Sequence, residues 1–109
     1  MKVEHSIQEK SGVIKIAGNV NLYELFMLRE AFDEFQDKKL EKVILDLSEV
    51  DYIDSSGIGL LIAQATKLRD KQIRFILAGI NQSIEHVFKV TSFAKLFLKS
   101  PSLKEALDI

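Results

Sequence analysis

Val43-Ile44-Leu45-Asp46-Leu47, followed after six residues by Asp54-Ser55-Ser56-Gly57-Ile58-Gly59, is the stretch on which the fold turns. The first run is almost unbroken in apolar residues, as a strand covered on both faces must be. The second opens a helix. Asp54, Ser55 and Ser56 are all residue types that cap helix N-termini, and Ile58, Leu61, Ile62, Ala65 and Leu68 then fall on one stripe. Ile73-Arg74-Phe75-Ile76-Leu77-Ala78 supplies a second buried strand. Strand, helix and strand in this order form a parallel crossover unit.

Working outward, Val3, His5 and Ile7 alternate with polar residues, as in a strand with one solvated face. A turn at Glu9-Lys10-Ser11-Gly12 leads to an antiparallel partner, Val13-Ile14-Lys15-Ile16-Ala17, which Gly18 is expected to end. Asn21 is placed to cap the first helix, with Glu24 at the capping-box position and Leu25, Leu28, Phe32 and Phe35 on its inner face. Ile84, Val87 and Phe88 mark a third helix entered through Asn81. Leu96-Phe97-Leu98 reads as a short last strand, and Ser102 caps a terminal helix with Glu105 three residues on. The order is ββαβαβα(β)α. It describes one α/β domain over residues 1–109, without linker or repeat.

Composition narrows the function. The chain has 15 basic and 16 acidic residues and a net charge of -1, well mixed, which argues against a dedicated nucleic-acid surface. Cysteine is absent, which excludes thiolate catalysis, Cys-ligated metals and disulfides. Two histidines, His5 and His86, cannot build a three-His metal site; both are expected on solvated surfaces. No apolar run is long enough to span a membrane, the start lacks a signal peptide's apolar segment, and an intracellular address is the default expectation. Phe26, Phe32, Phe35, Phe75 and Phe88 read as core, and Asp37-Lys38-Lys39-Leu40-Glu41-Lys42 as a solvated loop.

One segment exceeds structural duty. A helix needs one cap, yet Asp54, Ser55 and Ser56 offer three, followed by Gly57 and Gly59, which lower helix propensity. The segment lies beyond the carboxyl end of a parallel strand, where α/β sheets gather ligands and partners. A helix N-terminus there offers free N–H groups and partial positive charge, a setting suited to phosphate.

Asp54-Ser55-Ser56-Gly57-Ile58-Gly59, set behind the strand Val43–Leu47 and the link Val50-Asp51-Tyr52-Ile53, resembles the signature of the STAS domain, and more narrowly that of bacterial anti-sigma factor antagonists. The resemblance spans nearly the whole chain: the element order, the Gly18 turn and Thr91-Ser92 after the third helix also fit. It implies a STAS-like single domain with a mixed, mostly parallel sheet of four to five strands, an N-terminal antiparallel hairpin and about four helices.

It also implies a phospho-switch. The family's phosphoacceptor, the first serine of the motif, maps to Ser55. In the family, the unphosphorylated antagonist binds an anti-sigma factor that is also an ATP-dependent serine kinase, and so releases the sigma factor for transcription. Phosphorylation ends that complex, and a serine phosphatase restores it. By this resemblance Asp54, Ser55, Ser56, Gly57, Ile58, Gly59, Leu60 and Asn21 form the partner surface. Leu60 is expected to be partly exposed because it lies off the apolar stripe, and Gly57 and Gly59 are expected to admit the partner's backbone. Asn21 departs from the family, which often has an acidic residue there. The resemblance implies a cytoplasmic, non-enzymatic module, monomeric when free, with no cofactor, no metal, no nucleic acid and no membrane insertion.

Other sites fit less well. A receiver domain would want an acidic pair after its first strand. Asp54 occupies the first glycine position of a nucleophile elbow around Ser56, and Gly57-Ile58-Gly59 lacks the third glycine of a dinucleotide fingerprint. A STAS subunit docked permanently through its second helix in a larger assembly, such as a lipid-transport ATPase complex or a stress-signalling scaffold, is the alternative. A nucleotide-hydrolysing domain ranks below both, for want of a Walker-type loop or catalytic base.

Overall fold

Lys42–Ile53 forms the central strand of the sheet in a computed structural model that describes residues 1–90 and 97–109. Thr91, Ser92 and Leu96, used above, lie outside the described residues. The elements run β1 (Lys2–Gln8), β2 (Ser11–Val20), a 3-10 turn (Leu22–Glu24), α1 (Leu25–Asp33), β3 (Lys42–Ile53), α2 (Ser55–Asp70), β4 (Arg74–Ala78), α3 (Gln82–Val90), β5 (Leu98–Ser100) and α4 (Leu103–Leu107). The sheet order is β1-β2-β3-β4-β5; β1 runs antiparallel to β2 and the other pairs are parallel. The expected mixed sheet with an antiparallel opening hairpin is present.

Register explains the two-sided burial. Ile14, Leu45 and Leu77 align across β2, β3 and β4 and belong to the larger core, which also takes residues from α1, α2 and α3. Val13, Ile44 and Ile76 align one residue earlier, on the other face, where Ile44, Ile76 and Ala78 pack with Ala106 of α4. The continuous apolar run of β3 is therefore read correctly as a strand covered twice. Each such fully buried aliphatic side chain contributes about 1.5–3 kcal/mol of transfer free energy.

Several local expectations are corrected. The first turn is tighter than expected: Glu9 takes a positive φ of 57° and β2 already starts at Ser11. Gly18 does not end β2. The strand continues to Val20 through a register shift between Gly18 and Asn19, and Gly18 has φ 97°, which a glycine adopts without steric penalty. Asn21 caps the 3-10 turn, accepting from the Tyr23 N–H at 3.1 Å, but Glu24 pairs with the N-terminal ammonium of Met1 and does not complete the capping box. Asn81 and Ser102 do cap: Asn81 Oδ1 accepts from Ile84 N–H and Ser102 Oγ from Glu105 N–H.

Phe26 is not core; it is 58% exposed. It sits off the stripe of Leu25, Leu28, Phe32 and Phe35, all four of which are buried, so its periodicity and not its hydrophobicity sets its position. Phe97, expected in the last strand, instead precedes β5 and is buried edge-on to Phe75, with ring centroids 5.8 Å apart. His5 is accessible as expected, yet its ring stands edge-on to Phe35. Lys42 is not part of a solvated loop. It is buried as the first residue of β3, and its Nζ donates to the carbonyls of Ala106, Leu107 and Ile109.

Candidate functional site

Three junctions meet beyond the carboxyl ends of the parallel strands: β2 to α1, β3 to α2, and β4 to α3. The Asp54 N–H donates to the Val20 carbonyl at 3.1 Å, holding the ends of β2 and β3 together. The side chain of Asn81, at the entry to α3, donates to the Val50 carbonyl at 2.9 Å. Hydrogen bonds to backbone polar groups of neighbouring segments hold these loops in place, as such irregular segments require.

Asp54 is the hub. Its extended backbone (φ -91°, ψ 178°) makes it the N-cap of α2, and its Oδ1 accepts from the Gly57 N–H at 2.9 Å and from Ser56 Oγ at 2.6 Å. Its Oδ2 accepts from the Leu22 N–H at 3.2 Å, tying the 3-10 turn to the head of α2. The Ser56 hydroxyl above all, then the Gly57 N–H, hold this carboxyl below its ordinary value; burial opposes them, and the Leu22 N–H adds a weaker lowering.

The three potential caps thus separate in role. Asp54 caps, Ser56 is half-buried and bonded to Asp54, and Ser55 is exposed, with no hydroxyl partner among the described residues. Asn21 stands next to Leu22, half-buried, its side chain committed to the Tyr23 N–H.

Burial divides the remaining residues. Leu60 is not exposed: it is 7% accessible and part of the main core. α2 buries a flank towards α1 as well as its sheet-facing stripe. Gln64, one turn beyond Leu60, is buried for the same reason and lines a crevice with Phe32 and Phe35, whereas Ile62 is only half-buried. Ile58 is buried as well.

Gly57 faces inward too. A Cβ there would stand 2.8 Å from Ile53 Cγ1 and 2.9 Å from Val20 Cγ1, so this glycine admits the protein's own core and not a partner's backbone. Gly59 is exposed, and a Cβ there would meet nothing within 4 Å. Asp54, Ser55, Ser56 and Gly59 therefore form the accessible part of the motif.

The structure adds residues that sequence reasoning passed over. Leu22 and Tyr23, beside Asp54, are 62% and 87% exposed, and Phe26 follows on the next turn. Large apolar side chains left in water together are a feature of interaction surfaces. The off-stripe position of Phe26 was the available sequence signal. Among the described residues no group of acidic, His or Cys side chains could hold a metal ion, and no helix is long and apolar enough to cross a membrane.

A family model described as the STAS domain matches residues 2–106. The anti-sigma-B factor antagonist of Listeria monocytogenes is 29% identical over 83 residues, covering 76% of this chain and 73% of that protein. Among solved structures, an anti-sigma factor antagonist from Mycobacterium paratuberculosis superposes with a TM-score of 0.86 at 20% identity, covering 98% of this chain and 91% of that one. The Bacillus cell fate determinant SpoIIAA in its phosphorylated form gives a TM-score of 0.77 at 18% identity, covering 98% and 97%. At these identities the structural likenesses speak to the fold.

Proposed function

The chain belongs to the STAS domain family, and from that membership and the head of α2 we propose that it is an anti-sigma factor antagonist switched by phosphorylation of Ser55. In its unphosphorylated form it binds an anti-sigma factor that is an ATP-dependent serine kinase, which frees the sigma factor. A serine phosphatase returns the phosphorylated chain to the binding form. The names of similar proteins support the antagonist role. One observation carries the switch: at the head of α2, Ser55 is exposed with no hydroxyl partner among the described residues, while its neighbours Asp54 and Ser56 are bonded to one another.

The physics of the switch follows from this position. Phosphoserine carries about -1.5 to -2 charges at pH 7. At the N-terminus of α2 the fold accommodates that charge through free N–H groups and the helix dipole. At an interface the same dianion is desolvated beside the Asp54 carboxylate. A loss of about 3–4 kcal/mol there weakens binding several-hundred-fold without refolding. The accessible partner surface is Asp54, Ser55, Ser56 and Gly59, with Asn21 at its border.

The test is incubation with a purified serine kinase of the anti-sigma factor class and ATP, followed by intact-mass analysis and site mapping. A single phosphate on Ser55, and loss of kinase binding by Ser55→Asp with an unchanged melting temperature, are expected. Absence of the adduct sinks the switch.

The exposed trio Leu22, Tyr23 and Phe26 favours a second reading, a STAS subunit held permanently in a larger assembly. Under that reading Ser55 takes no phosphate, and the chain co-purifies with stoichiometric partners through this face.

A further inference from the structure

We propose that Asp54 is the residue that directs phosphoryl transfer to Ser55 and away from the adjacent Ser56. The inference rests on the phosphoacceptor reading above and adds the device that chooses between two neighbouring, chemically identical hydroxyls.

The transfer requires a serine Oγ lone pair to attack the γ-phosphorus of a nucleoside triphosphate held by the kinase. The new O–P bond forms as the bond to the β-phosphate oxygen breaks. The nucleoside diphosphate leaves, and the hydroxyl proton passes to a base of the kinase or to water. The acceptor must therefore be accessible, free to turn towards the nucleotide, and surrounded by space for a dianion.

Ser55 meets all three conditions. It occupies the first position of α2, is exposed, and breaks no hydrogen bond with a described residue when it turns. Ser56, one residue further, meets none. It is half-buried, its one proton is donated to Asp54 Oδ1 at 2.6 Å, and that short charge-assisted bond fixes its rotamer.

A carboxylate this close to a hydroxyl could in principle activate it as a base. Asp54 is poorly suited to that. It already accepts from the Gly57 and Leu22 N–H groups, and these bonds together with that from Ser56 lower its basicity. The bond holds the Ser56 hydroxyl in place. A phosphate on Ser56 would also lose this bond and set a dianion against the same carboxylate, whereas a phosphate on Ser55 extends from the helix tip into solvent.

The selection is read by tandem mass spectrometry after incubation of the full chain with the serine kinase and ATP. Four chains are compared: wild type, Ser55→Ala, Asp54→Gly, and Ser55→Ala combined with Asp54→Gly. Glycine is well tolerated at an N-cap and removes both carboxylate oxygens, so the Ser56 hydroxyl loses its acceptor; asparagine would retain the Oδ1 to which Ser56 donates. Circular dichroism checks that each variant folds.

The wild type is expected to carry phosphate on Ser55 alone, and Ser55→Ala to carry none. Asp54→Gly is expected to raise the ratio of Ser56 to Ser55 phosphate at least tenfold, and the double variant to be phosphorylated on Ser56. A general weakening of the helix start would lower both sites together and leave that ratio unmoved. Phosphate on Ser56 in Ser55→Ala with Asp54 intact overturns the selection. So does an unlabelled double variant when Asp54→Gly alone is still labelled only on Ser55. If the wild type takes no phosphate at all, the phosphoacceptor reading itself fails and this inference with it.

Discussion

The Nζ of Lys42 lies 2.9 Å from the carbonyl oxygen of Ala106, a contact across 64 residues of sequence that fastens α4 to the sheet. The same ammonium donates to Leu107 and Ile109 at 2.7 Å each, and Arg74 adds a bond to Ile109 at 3.0 Å. A cation against the last carbonyls of a helix satisfies acceptors that have no partner within the helix, and it opposes the helix dipole favourably.

Lys42→Met keeps the aliphatic stem and removes the three donors. Since a hydrogen bond to a charged group is worth about 1.5–3 kcal/mol and the three share one cation, we expect a loss of about 2–3 kcal/mol in urea denaturation. Amide exchange should rise first in α4, because its attachment is the part released. Amide exchange at the head of α2 should not change, because Lys42 begins β3 and Ser55 lies beyond its far end.

The two glycines of the motif should respond with opposite sign. Gly57→Ala drives a methyl against Ile53 and Val20, both buried, and should lower stability by about 1–3 kcal/mol. Gly59→Ala enters open space within a helix and should raise stability by about 0.5–1 kcal/mol. Thermal denaturation of both variants checks the pair; equal shifts would contradict the inward and outward assignments.

Phe26→Ser should change stability by less than about 0.5 kcal/mol, as surface substitutions do, whereas Phe32→Ala should lower it by about 3–5 kcal/mol. Phe26 is exposed and Phe32 is packed edge-on against Phe75, with centroids 5.6 Å apart. Equilibrium denaturation separates the two, and a large loss for Phe26→Ser would place that ring in the core after all.

Acid should weaken the head of α2 through Asp54. Its carboxyl is held below the ordinary 3.8 by Ser56, Gly57 and Leu22. The folded state therefore favours the charged form. The resulting stabilisation is complete above 3.8 and disappears as pH falls through the lower folded value. The stability advantage of wild type over Asp54→Asn, about 0.5 kcal/mol from charge at a helix N-terminus, should be level from neutral pH to about pH 5. It should shrink below that in denaturation curves taken at successive pH values. An advantage that grew on acidification would reverse the assignment.

The amino-acid sequence by itself determined the architecture, because periodicity is a local property of the chain. The unbroken apolar run of Val43–Leu47 required cover on two faces, the stripe of Leu25, Leu28, Phe32 and Phe35 required a sheet beneath one helix, and Asn81 and Ser102 announced helix starts. The motif at Asp54–Gly59 was equally legible, since short-range capping chemistry is written in adjacent residues.

Tertiary structure alone decided which members of that motif meet solvent. Leu60 and Gln64 went inside because α1 packs beside α2 and widens its buried face, a neighbour that no helical repeat reveals. Lys42 was buried because carbonyls of α4 and of Ile109 just beyond it, more than sixty residues away in sequence, arrive to receive its charge. Three interchangeable caps became one cap, one tethered hydroxyl and one hydroxyl with no partner among the described residues only when the Leu22 N–H and the Gly57 N–H converged on the carboxylate of Asp54.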